Sequence, residues 1–178
     1  MSLLADRLLA VDDALAKARL AHAFGGAIAL GYCTLEPRGT RDLDLNVFVT
    51  PERVTEVFAA LPDGVTVTAL NVEQAERDGQ VRVWWDDTPI DVFLDVLPLH
   101  GEIAREVRRV PFAGRTIPVL GCDALAVFKA MFDRTRDWAD IEAMVDAKAL
   151  DFEVVAERIR GLDGEDSLRA GRLLALRS

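Results

Sequence analysis

The sequence predicts an α+β protein: a mixed β-sheet flanked by helices, with a helical region at its C-terminal end. Three observations predict it. Apolar residues recur at helical spacing over residues 3–20, strict alternation runs from Asp42 to Val49, and helical signals continue from Asp123 almost to the end. Hydrophobic residues make up 51% of the 178, enough for one core without metal or disulfide support. Residues 1–120 are expected to form the α/β core and residues 121–178 a helical region packed on it, as one compact unit.

Each element has its own signal. Leu4, Leu8, Val11, Leu15 and Ala18 line one face of a first amphipathic helix. Residues 21–24 read as a short strand, Gly25-Gly26 as a tight turn, and the small apolar run Ala27 to Tyr32 as a helix, followed by a loop at Glu36-Pro37-Arg38-Gly39. In the strand over 42–49, Leu43, Leu45, Val47 and Val49 face one way, and Asp42, Asp44, Asn46 and Phe48 the other. Thr50 and Pro51 suit the N-cap and first position of a helix carrying Val54, Val57, Phe58 and Leu61, which Pro62-Asp63-Gly64 closes. Strands follow over 65–70, 81–85 and 90–97, the last two joined by a hairpin across Asp86-Asp87-Thr88-Pro89. Residues 107–112 and 115–119 form a strand pair around Ala113-Gly114. Helices then start at Cys122 or Asp123 and near Trp138, with two shorter ones behind them.

Composition narrows the function. A net charge of -9 argues against bulk electrostatic binding of DNA or RNA. The one locally basic cluster is Arg105, Arg108, Arg109 and Arg115. No apolar run approaches the roughly 18 residues that span a bilayer, and charges interrupt the N-terminal segment where a signal peptide would be uniformly apolar. Cys33 and Cys122 share no metal-binding or CxxC spacing and read as two isolated buried thiols, which points to a reducing cytoplasm. His22 and His100 read as structural or surface residues. Of Trp84 and Trp85, on opposite strand faces, one is expected in the core.

The chemistry centres on Asp42-Leu43-Asp44. Carboxylates two residues apart on a strand point to one face, about 7 Å apart, and repel unless a cation lies between them. Hard oxygen donors so placed suit Mg²⁺, which takes one or two carboxylates and completes its shell with water and phosphate oxygens. In the strand over 90–97, Asp91 and Asp95 share a face opposite Val92, Leu94 and Val96, and either one falls beside Asp42 and Asp44 if the strands are neighbours. Three carboxylates around one point hold two metal ions about 3.5–4 Å apart, and the third can take a proton from an attacking hydroxyl. Gly25-Gly26, at a strand-to-helix turn, lets backbone N–H groups approach a phosphate.

The stretch AFGGAIALGYCTLEPRGTRDLDLNVFV resembles the signature of the nucleotidyltransferase (polymerase-beta-like) superfamily: a glycine turn, a short helix, then an acid-hydrophobic-acid strand. PIDVFLDV is similar to that superfamily's later acidic strand, with Asp91 matching best and Asp95 in reserve. LAVFKAMFDRTRDWADIEAM is similar to the helical segment of small bacterial members, including the AbiEii-type toxin branch, through Lys129, Arg134, Asp137 and Asp140. The resemblance covers roughly residues 20 to 145. It implies that Gly25 and Gly26 contact a triphosphate, that Asp42 and Asp44 ligate Mg²⁺, and that Asp91 is third ligand and base. Lys129 would neutralise phosphate charge, and Arg38, Thr40 and Arg41 would reach a phosphate or the acceptor. Asp137 and Asp140 are expected instead in ion pairs on a helix surface.

The function so implied is transfer of NMP from an NTP such as ATP to a hydroxyl, with two Mg²⁺ ions and release of pyrophosphate. The acceptor is a small molecule, a protein or a tRNA end, and an antitoxin partner is compatible. The alternative is a non-catalytic nucleotide-binding or toxin-antitoxin module on the same fold.

Overall fold

A computed structural model describes residues 3–177. Helix α1 (Leu3–Lys17) leads into β1 (His22–Phe24), α2 (Gly26–Thr34) and β2 (Leu43–Val47). After a 3₁₀ turn at Pro51–Arg53 come α3 (Val54–Ala60), β3 (Val65–Thr66), α4 (Ala69–Asp78), β4 (Gln80–Trp85) and β5 (Thr88–Phe93). The chain continues through α5 (His100–Arg105), β6 (Arg108–Phe112) and β7 (Arg115–Val119). It ends in four helices, α6 (Cys122–Phe132), α7 (Thr135–Asp146), α8 (Phe152–Asp163) and α9 (Leu168–Ala175).

The strands form one seven-stranded mixed sheet in the order β3-β4-β5-β2-β1-β7-β6. β2 lies near its middle, antiparallel to β1 and parallel to β5. Leu43, Leu45 and Val47 of β2 are wholly buried, as their alternation with Asp44 and Asn46 requires, and they meet Ile90 and Val92 of β5 in the core. Helices α2, α6 and α7 pack on one another, and α6 also packs on α8.

Helix α1 ties both sides of the sheet. His22 on β1 is buried, with Nδ1 2.9 Å from the Leu20 carbonyl and Nε2 3.0 Å from the Asp12 carboxylate of α1, so it is structural as expected. From the same helix the buried Arg7 reaches Asp86, Asp87 and Thr88 in the β4–β5 turn. Its guanidinium lies 5.7 Å from the ring centroid of Trp85, the less exposed of the two tryptophans of β4.

Some sequence expectations are corrected. The strand over 65–70 stops at Thr66, because Thr68 caps α4: its side chain accepts from the Asn71 N–H while the Asn71 side chain accepts from the Thr68 N–H. Thr50 makes no side-chain cap, and a 3₁₀ turn precedes α3. The arginines of the basic cluster are all exposed, with Arg115 paired to Asp13 and Arg108 donating to the Cys122 sulfur at 3.2 Å. Cys33 and Cys122 are not isolated thiols. They are bonded to each other, joining the end of α2 to the start of α6 across 89 positions of sequence. No helix among the described residues is long and apolar enough to cross a membrane.

A crosslink closing so long a loop restricts the unfolded chain strongly. Replacing both cysteines by serine, or reducing the bond, is expected to lower unfolding free energy by about 2–4 kcal/mol. Denaturant titration with and without reductant measures this. Two freely titratable thiols in the untreated, unfolded protein would show that the bond is not formed.

Candidate active site

β1 is followed by Gly25, whose N–H donates to the Asp44 carbonyl at 2.8 Å, and Gly26 opens α2 with φ of +51°. Side chains of β2 press against this turn. A Cβ on Gly25 would lie 2.9 Å from Asn46 Nδ2, and one on Gly26 only 1.7 Å from Asp44 Oδ2. Gly26 is therefore demanded by close approach and by its left-handed backbone, while at Gly25 the Asn46 amide would have to give way.

Asp44 lies next to this turn on β2. Its carboxyl is mostly buried, and burial raises its pKa to about 6, with the nearby charges of Asp42 and Asp91 adding to the effect and Lys129 and Arg136 opposing it. Asp42 stands just before the strand and accepts a hydrogen bond from the Thr40 hydroxyl. Asp91 of β5 is the direct cross-strand partner of Asp44. Asp95 lies beyond the end of β5, 3.3 Å from His100 Nδ1. The register thus puts Asp91, and not Asp95, beside Asp44. Both oxygens of Asp91 are held by Arg82 of β4, Nε to Oδ1 at 2.7 Å and Nη2 to Oδ2 at 2.6 Å.

Cations face the acids from α6 and α7. The Lys129 ammonium is 2.6 Å from Asp140 and 3.6 Å from Asp137. Arg38 also donates to Asp140, at 2.7 and 3.3 Å, and Arg134 to Asp137, at 2.6 and 3.2 Å. Asp137 and Asp140 are thus not surface residues: they are 1% and 5% exposed and hold three cations in place from beneath. Burial alone would push Asp140 up, but hydrogen bonds from Lys129 and Arg38 outweigh it and hold its carboxyl below the ordinary range.

Asp42, Asp44 and the cations share a cleft of about 670 Å³ with Gly25, Gly26, Thr40 and the exposed Arg41, whereas Asp91, expected as third metal ligand, does not line it. Its other end is apolar, lined by Phe93, Leu97, Phe128 and Phe132, with Phe93 edge-on to Phe132 at 5.8 Å. His100, expected to be structural or on the surface, is buried and borders this end, accepting the Leu97 N–H at 3.0 Å. Arg82, Arg136 and Phe93 were not legible as site residues. Arg82 had one available signal: a two-residue hairpin loop sets it opposite Asp91.

Among the described residues no three His, Cys, Asp or Glu side chains converge closely enough to hold a metal ion by themselves. The Asp42/Asp44 pair nonetheless suits Mg²⁺, which needs only one or two carboxylates when phosphate oxygens complete its shell. Lys129 and Arg136 only partly offset the burial of the Asp44 carboxyl, and a bound cation would complete the compensation.

The fold is shared with known proteins. The solution structure of the antibiotic-resistance factor ANT(2″)-Ia matches with a TM-score of 0.62 at 16% identity, over 97% of this chain and 94% of that one. The crystal structure of ANT(2″)-Ia in complex with adenylyl-2″-tobramycin matches with a TM-score of 0.58 at 14% identity, over 99% and 100% of the two chains. An antigenic nucleotidyltransferase-like protein from Paracoccidioides brasiliensis matches at 0.50 and 13%, over 98% and 88%. The chain has the nucleotidyltransferase-like fold. No protein-family model and no curated protein matches the sequence.

Two predictions follow from the buried acid. A carboxyl with a raised folded-state pKa binds its proton more tightly when folded, so its contribution to stability falls as pH rises from 3.8 to about 6. Asp44→Asn is therefore expected to stabilise the metal-free protein above that range by up to about 3 kcal/mol, and to be nearly neutral below about pH 4. Denaturant unfolding in chelator across this range checks it, and parallel curves for the two proteins would refute it. Gly26→Ala is expected to lower Tm and to displace the Asp44 carboxylate, which the Asp44 carboxyl NMR shift would report.

Proposed function

We propose that this protein is a nucleotidyltransferase that moves NMP from an NTP to an acceptor hydroxyl and releases pyrophosphate. The observation that carries the reading is the Asp42/Asp44 pair, backed on the Gly25-Gly26 turn and facing the cations of α6 and α7 across one cleft. Opposed acids and cations of this kind suit a triphosphate with its metal. Asp42 and Asp44 would hold Mg²⁺, which supplies charge neutralisation at the phosphoryl group undergoing transfer.

The remaining work falls to the chain's own residues. Lys129, Arg38 and Arg134 are already fixed by Asp137 and Asp140, so they can meet phosphate oxygens with little reorganisation. Arg41 and Arg136 border the same cleft. In the reaction a bond forms between the acceptor oxygen and the α-phosphorus while the bond from that phosphorus to the pyrophosphate oxygen breaks. The hydroxyl proton passes to a carboxylate, for which Asp91 stands in the row beside Asp44.

ATP and a small hydroxyl-bearing molecule are the substrates we propose first, ahead of a protein hydroxyl or a tRNA end. Support comes from the whole-length likeness in fold to ANT(2″)-Ia, solved with adenylyl-2″-tobramycin. The apolar end of the cleft offers room for a flat ring.

The test is calorimetry with ATP, with and without Mg²⁺, on the wild type and on Asp42→Asn/Asp44→Asn. Mg²⁺-dependent binding is expected to weaken at least about tenfold in the double variant, a loss of about 1.4 kcal/mol, with its circular dichroism unchanged. Equal affinity and equal metal dependence in the two proteins would overturn the reading.

A further inference from the structure

His100 is 3% exposed and borders the apolar end of the cleft. Its ring packs against Phe48 and Phe128, with centroids 6.4 and 5.6 Å away. Its Nδ1 accepts the Leu97 N–H at 3.0 Å. A hydrogen on Nδ1 would collide with that amide hydrogen, so the neutral ring carries its proton on Nε2. The Leu97 carbonyl and the Asp95 carboxylate, 3.1 and 3.3 Å from Nδ1, find no hydrogen there to accept in this tautomer. The Nε2–H itself has no partner among the described residues, whose bonds to this ring all go to Nδ1. A buried donor without an acceptor costs free energy, and a molecule in the cleft can supply one.

The apolar end adjoins the acids. Asn46, two residues beyond Asp44 on β2, is the cross-strand partner of Phe93. The aromatic lining therefore starts about 7 Å along the strand from Asp44. One cleft thus has Lys129, Arg134 and Arg136 in its charged part and Phe93, Phe128 and Phe132 in its apolar part. A nucleoside triphosphate is divided in the same way. Its phosphates are charged, and its base is a flat ring whose edge presents unprotonated nitrogens or carbonyl oxygens.

From this match we propose that the apolar end seats the nucleobase and that His100 reads it, its Nε2–H donating to a ring nitrogen or carbonyl of the base. The proposal rests on the nucleotidyltransferase reading. It deepens that reading by naming the residue that selects a nucleotide over a bare polyphosphate. A phosphate group is poorly matched to this end: Phe93, Leu97 and Phe128 offer it no charge, and the Asp95 carboxylate beside His100 repels it.

Inorganic tripolyphosphate separates the two ends of the site, because it carries the phosphates without the nucleoside. The full chain is titrated by calorimetry in Mg²⁺ with ATP and with tripolyphosphate, as wild type and as His100→Phe, which keeps an aromatic ring but removes the donor. The wild type is expected to bind ATP more tightly than tripolyphosphate. His100→Phe should weaken ATP by about tenfold, the loss of one hydrogen bond, and leave tripolyphosphate unchanged. Nitrogen NMR of the imidazoles gives a second readout that needs no variant to fold. The chain has two histidines, and the Nε2–H signal of the one in the cleft should move on adding ATP and stay in place on adding tripolyphosphate.

If ATP binds wild type and His100→Phe equally, or leaves the His100 signal unmoved, the base is not read by His100 and this proposal fails while the function stands. If neither ATP nor tripolyphosphate binds the wild type in Mg²⁺, the function reading and the proposal fail together.

Discussion

Asp44 and Gly26 are in such close contact that no side chain fits between them: a Cβ on Gly26 would stand 1.7 Å from the carboxylate oxygen. This contact fixes where α2 begins, since only glycine combines the space with a φ of +51°. It also fixes where the acid points. The carboxyl lies against the helix start, in the space a side chain at Gly26 would fill, and Asp91 is its cross-strand neighbour. The glycine turn is thus as much a seat for the acid as a cradle for phosphate, and the two roles reinforce each other by bringing phosphate and acid to one place.

Seating a carboxyl in that position is unfavourable in isolation, because burial and two neighbouring acids penalise its charge. The protein answers with charge held at a distance instead of a direct ion pair. Arg38 of the loop before β2, Asp140, Lys129, Asp137 and Arg134 form a continuous chain of alternating sign that runs across α6 and α7. Of the cations on this side, Lys129 and Arg136 offset the charge of Asp44. Breaking a buried pair is costly, so the acids of α7 anchor these cations more than they cancel them. The disulfide adds a covalent tie between the helix that begins at the glycine turn and the helix that carries Lys129.

Much of this was legible in the residues. The alternation of β2 separates Leu43 and Leu45 from Asp44 by strand geometry alone, and the glycine pair marks the turn before α2. The rest required contacts that distance along the chain conceals. Cys33 and Cys122 carry no spacing signal at 89 positions. Asp137 and Asp140 have the sequence of a solvated helix face, and only the position of Lys129 on α6 shows that they are buried. The run VTVTAL has strand composition, yet Thr68 and Asn71 cap each other and start a helix within it. Local hydrogen bonds there outweigh β-propensity.

Arg82 was hidden by a smaller error, a hairpin loop read two residues too long. A loop of four over 86–89 would set Trp85 opposite Ile90 and Arg82 opposite Phe93. The observed loop is Asp86-Asp87, with Asp86 at φ of +49°, which pairs Trp85 with Thr88 and Arg82 with Asp91. Aspartate tolerates the left-handed position that Asp86 takes, and the turn is held from outside as well. Arg7 gives it, reaching Asp86, Asp87 and Thr88 together from a buried position on α1. Strand register is set by turn geometry, and a slip moves every partner along the strand. The first helix of the chain thus supports, through one arginine, the two-residue turn whose register sets Arg82 opposite the acid of β5.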